Sequence, residues 1–137
     1  MKRKGKFRVV ITVLAILVLI GAAACTLFTA NEREEGKNLP IAVIDFKNLN
    51  DGAYIGEYEG GMYRLRANKV QVTVSSGRVT DIELLEHKEK QPPEFTDKLY
   101  GRVMKAQSLQ VDAVSGATIT SKAYLKSVEN ALIKAGK

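Results

Sequence analysis

Apolar residues fill nearly every position from Phe7 to Phe28, broken by Arg8 and otherwise only by small or weakly polar side chains. About 20 such residues span the hydrocarbon core of a bilayer as a helix, so the run predicts a transmembrane or signal helix. The next stretch, Ala30–Asn38 (ANEREEGKN), is charged and apolar-poor and reads as a solvated linker. Leu39-Pro40 opens a short apolar run, Ile41–Asp45, whose length is too small for its period to separate strand from helix.

Beyond the turn signal Asp51-Gly52 the period changes to two. Ala53–Tyr58 has strand composition, with Tyr54 and Tyr58 on one face, and Glu59-Gly60-Gly61 breaks it. Val70, Val72 and Val74 then alternate with Lys69, Gln71 and Thr73. Ser76-Gly77 supplies a turn and Arg78–Leu85 returns, which predicts a hairpin. The alternation slips between Val79 and Ile82, the mark of a bulge. Glu86–Lys90 reads as a charged exit loop, and Pro92-Pro93 as the end of regular structure.

Helical spacing takes over from there. Phe95, Leu99, Val103 and Ala106 predict an amphipathic helix over 96–107, capped by Thr96 or Asp97. Tyr124, Leu125, Val128, Ala131, Leu132 and Ala135 predict a second, capped by Thr120 or Ser121 and ending at Gly136. The order gives an α+β fold: a small antiparallel sheet with two packed helices, preceded by one N-terminal transmembrane or signal helix. Its divisions are 1–28 for the anchor, 29–50 for a linker and first short element, and 51–137 for the domain.

Charge sharpens this picture once it is located. Of the formal +6, Lys2, Arg3, Lys4, Lys6 and Arg8 supply five charges within the first eight residues, with no acid among them. The remaining 16 basic residues face 15 acidic ones, so the domain is nearly neutral and a nucleic-acid partner loses its support. The basic start predicts a cytoplasmic N-terminus and an extracytoplasmic domain. An uncleaved signal anchor fits best. A lipoprotein using Cys25, behind Ala22-Ala23-Ala24, comes second and simple secretion third. One cysteine and one histidine leave no set for a metal site or a Ser-His-Asp arrangement. His87, in a charged loop with no acid specified by spacing, reads as a solvated surface residue.

One stretch remains, Val111–Ser121 (VDAVSGATITS), a small-residue, hydroxyl-rich turn directly before the last helix. A helix N-terminus offers free N–H groups and a positive dipole end, which suit a phosphate. An ordinary capped loop has the same composition.

The run AQSLQVDAVSGATITSKAYLKSVENAL, with DGAYIGEYEGG and VQVTVSSGRVTDIELLEHKE upstream, resembles the FMN-binding domain family. That family includes the flavin-carrying C subunit of the sodium-translocating NADH:quinone reductase and the G subunit of the Rnf complex. The resemblance covers about Asp51 to Ala135. It implies that Thr118 is joined to FMN by a phosphoester, installed by a flavin transferase that consumes FAD. Asp112, Ser115, Gly116 and Ala117 match the pattern the transferase recognises, and Thr120, Ser121 and Lys122 are further candidates for contacts with the phosphate. With no catalytic residue and no metal site apparent, the resemblance implies a membrane-tethered electron carrier. Its partner would be a membrane electron donor such as a quinone or dehydrogenase. Two other readings are a non-covalent FMN-binding or sensor module, and a surface interaction domain without redox function.

Overall fold

The structure, a computed structural model, describes residues 2–61 and 64–136. The chain divides into two compact units, Met1–Glu34 and Glu35–Lys137.

The first unit is helix. Helix α1 (Lys2–Lys37) is long and apolar enough to cross a membrane by length and composition. Its large apolar side chains, from Phe7 to Phe28, are exposed. The hydroxyls of Thr12, Thr26 and Thr29 donate to carbonyls about one turn back, at Arg8, Ala23 and Cys25, so these polar side chains carry their own acceptors. Cys25 lies exposed within this continuous helix. Contrary to the expected linker, the charged segment after Ala30 is helical through Lys37. Its Glu, Arg and Lys residues are good helix formers, and an existing helix extends without a new nucleation cost.

The second unit holds the domain. Its sheet has the order β1 (Gly52–Tyr58), β2 (Asn68–Ser75), β3 (Arg78–His87), all antiparallel. Val70, Val72 and Val74 are buried and the alternate positions are not, as their period requires. The expected bulge is present: Thr73 pairs with Asp81 and Val74 with Val79, leaving Thr80 extra. A second shift lies between Lys69 and Val70, and β3 runs on through His87, where a loop was expected. Ser76 (φ 52°) and Gly77 (φ 72°) form the turn, whose N–H groups donate to the Asp51 carboxylate at 3.0 and 2.9 Å. Ile41–Asp45 forms neither strand nor helix; a short 3-10 turn follows at Phe46–Asn48, with Asp45 capping it through Lys47 N–H.

Helix α2 (Pro93–Ala106) starts three or four residues before the expected caps, because proline at a first helical position loses no needed N–H and has its φ already set. Phe95, Leu99 and Val103 are buried as expected; Tyr100 is buried too, whereas Ala106 is exposed. Helix α3 (Thr118–Ala135) buries all six of its expected apolar residues. It lies across β1 and β2, while α2 covers β3. The rings of Phe95 and Tyr124 meet edge to face at 5.4 Å and join the two helices.

Side chains engage part of each open edge of the sheet. Asn130 Nδ2 and Lys134 Nζ donate to the β1 carbonyls of Glu57 and Ile55. At the β3 edge the Gln107 amide receives the Val79 N–H at 3.0 Å and donates to the Val79 carbonyl at 2.9 Å, as a neighbouring strand would.

Candidate functional site

Between α2 and α3 the chain from Gln107 to Ala117 has no regular structure, yet it is held at several points. Gln107 leaves α2 in a left-handed conformation (φ 47°). The half-buried Arg102, on the last turns of α2, donates from one guanidinium nitrogen to the carbonyls of Asp112 (2.8 Å) and Ala113 (3.0 Å). Val114 N–H donates to Ser121 Oγ at 3.0 Å, and that hydroxyl donates onward to the Ala117 carbonyl at 2.7 Å. A tight turn closes the loop, with Ala117 N–H bonded to the Val114 carbonyl at 3.0 Å.

Gly116 makes that turn possible. Its φ of 78° lies in the region where a Cβ is unfavourable, although open space surrounds the position a Cβ would take. The glycine is therefore required by backbone conformation, and the surrounding space is left clear.

Helix α3 begins at Thr118, two or three residues earlier than the expected caps. Its N-cap is Ala117, which has no side-chain oxygen for the first N–H groups. Thr120 and Ser121 instead lie inside the first turn and are buried. Thr120 Oγ1 donates to Glu89 Oε2 at 3.0 Å. Ser121 is committed to the loop as described. Ser115, Gly116 and Thr118 are exposed, Ala117 is half-buried, and Asp112 is exposed with its carbonyl held by Arg102. Ser115, Gly116 and Ala117 thus lie in the Val114–Ala117 turn, Asp112 lies in the loop two residues before it, and Thr118 follows as an exposed first helical residue.

Three contributors escaped the sequence reading. Glu89 lay in a charged run that looked solvated, yet its side chain turns onto α3, where it also stands 3.7 Å from Arg66 Nε. Arg102 shows only as a polar position between core residues of a helix. Gly36, at the end of α1, packs so closely on Ile119 that a Cβ there would stand 2.1 Å from Ile119 Cγ2. No periodic signal marks contacts between segments so far apart. His87 is exposed, with Nδ1 2.7 Å from the Glu89 carbonyl, in keeping with a surface role.

Burial sets the ionisation of two core tyrosines, Tyr100 on α2 and Tyr124 on α3. Tyr124 is pushed up to about 12, first by burial and then by the Glu89 charge. Tyr100 is pushed higher still by burial, with Tyr124 adding to it. Both stay neutral at physiological pH.

The donor set suits a phosphate-bearing group: an exposed hydroxyl, helix N–H groups without a side-chain cap, and no side chain over Gly116. Among the described residues no cluster of His, Cys, Asp and Glu could hold a metal ion.

Residues 67–133, from the start of β2 almost to the end of α3, match the FMN-binding domain family. The folded unit is thus similar to that family over this stretch, and its fold is consistent with a flavin-binding function. An uncharacterized protein of Treponema pallidum is 31% identical over 86 residues, covering 61% of this chain and 23% of that protein. The chain thus matches about a quarter of that relative's length. A crystal structure of a protein from Clostridium perfringens superposes with a TM-score of 0.47 at 23% identity, covering 64% of this chain and 88% of that one.

Proposed function

We propose that this chain is a membrane-tethered, extracytoplasmic flavoprotein that carries FMN covalently on Thr118 and acts as an electron carrier. The observation that carries the reading is the position of Thr118 within the matched domain. Thr118 is exposed as the first residue of α3, just after a glycine turn with open space where a Gly116 Cβ would stand.

A flavin transferase using FAD would act on that hydroxyl. The threonine oxygen takes the FMN half, the pyrophosphate bond breaks, AMP leaves and the hydroxyl proton passes to the transferase. The phosphodiester keeps one negative charge at the start of α3, where a helix end stabilises an exposed anion by about 0.3–1 kcal/mol. Flavin, once attached, supplies the one- and two-electron chemistry, and the protein supplies orientation and electrostatics. The length and apolarity of α1 and its basic start support anchoring with the domain outside. Covalent attachment suits that location, where a dissociating cofactor would be lost. The electron partner on this reading is a membrane donor such as a quinone or a dehydrogenase.

Mass spectrometry of protein co-expressed with a flavin transferase tests the linkage. An FMN adduct is expected on the tryptic peptide that contains Thr118, and Thr118→Ala should abolish in-gel flavin fluorescence. An unmodified peptide, with colour released by acid precipitation, would favour non-covalent binding and sink the covalent linkage.

A further inference from the structure

Four residues of α3 share one stripe: Thr118, Lys122, Lys126 and Glu129 follow at spacings of four, four and three. The last three bind one extended segment of chain. Lys122 Nζ donates to the carbonyl of Lys37, the final residue of α1. Lys126 Nζ donates to the Pro40 carbonyl at 3.1 Å and pairs with Glu129 at 2.8 Å. Glu129, itself buried, accepts the Ala42 N–H at 3.0 Å. Residues 37–42 therefore lie along this stripe, within the second unit, with Gly36 against Ile119 at its upper end. Thr118 heads the stripe.

Of the three groups the sequence offers for contact with a phosphate, two are turned away. Thr120 lies about 200° around the helix from Thr118, and its hydroxyl is bonded to Glu89. The Ser121 hydroxyl both accepts and donates within the loop. Lys122 is different. It stands one turn after Thr118 on the same face, the spacing at which an anion N-terminal to a lysine is favourably placed. An ammonium has three N–H donors, and the Lys37 carbonyl takes one.

We propose that Lys122 binds the phosphate attached to Thr118 while keeping its bond to the Lys37 carbonyl, so that one cation joins the flavin linkage to the end of α1. The inference rests on the covalent reading above. It makes Lys122 a positioning residue: the phosphate is held against the segment that leads out of α1, and the tethered flavin loses freedom to swing about the threonine side chain.

The test uses the full chain in detergent micelles, flavinylated by co-expression with the transferase, as wild type, Lys122→Gln, Lys122→Arg and Lys126→Gln. Mass spectrometry first scores the Thr118 adduct. The phosphorus NMR resonance of the phosphodiester and the fluorescence anisotropy of the flavin are then read. The resonance should move and the anisotropy fall in Lys122→Gln, while Lys122→Arg stays near wild type. Lys126→Gln, which loosens the same segment without touching the phosphate, should leave the phosphorus resonance in place. A Lys122→Gln protein with an unchanged resonance overturns the proposal, and so does an equal change in Lys126→Gln. Loss of the adduct in Lys122→Gln alone would place Lys122 in the modification reaction and also overturn it. Absence of the adduct from wild type would remove the covalent reading, and this inference with it.

Discussion

Gly56 sits in the middle of β1 where α3 crosses the strand. A Cβ there would lie 1.9 Å from the Ser127 carbonyl oxygen and 2.5 Å from the Ala131 nitrogen, both backbone atoms of α3. Neither can move without the helix moving, so this single missing methyl sets how closely helix and sheet approach. Gly56→Ala should cost about 3 kcal/mol or more, the upper end for overpacking a close-packed site; urea unfolding of the domain measures it. Composition alone gave Gly56 no such role, since the strand pattern around it points only to Tyr54 and Tyr58. The hydroxyls of the turn show the same limit. VSGATITS reads as hydroxyls offered to a phosphate, yet Thr120 and Ser121 are buried because α3 begins at Thr118. A small shift in helix start rotates every following side chain by about 100° per residue, which composition does not encode.

At the scale of elements, period served well where one face was buried and poorly where context took over. The valines of β2, the bulge at Thr80 and the apolar face of α3 all follow from alternation or helical spacing. The start of α2 does not, because Pro93 reads as a breaker in isolation and as a first helical residue once the chain turns. Nor does the helical run to Lys37, whose polar residues have no core face to reveal them. Between α2 and α3 the placement of the loop depends on Arg102, the bridge from the first helix to the Asp112 and Ala113 carbonyls. Arg102→Gln should cost roughly 1.5 kcal/mol, the low end for hydrogen bonds from a charged donor. Its larger expected effect is local. Amide hydrogen exchange should quicken across 111–117 while the strands remain protected, and equal quickening throughout would show that Arg102 acts on the whole fold.

For the whole molecule, the core lies between the sheet and the two helices, with Tyr100 and Tyr124 in it. Both phenols have folded-state values raised above the ordinary value near 10. Above about pH 10 the unfolded chain ionises these tyrosines while the folded chain keeps them neutral. Their contribution to stability is therefore complete below that pH and is lost as pH rises through about 12 for Tyr124. Thermal melting should hold steady from neutral pH to about 10 and then fall steeply. Tyr124→Phe should flatten the alkaline decline, and an unchanged decline in that variant would remove Tyr124 as a cause.

A three-stranded sheet has two rims, and here each is occupied by side chains of its own chain, Asn130 and Lys134 on one and Gln107 on the other. A flat exposed rim invites a strand from a second molecule, the opening step of runaway stacking. With those carbonyls and the Val79 N–H already engaged, another copy would first have to displace local partners held at no cost in translational freedom. A strand from another copy would meet this resistance at the Glu57 and Ile55 carbonyls of β1 and at Val79 of β3.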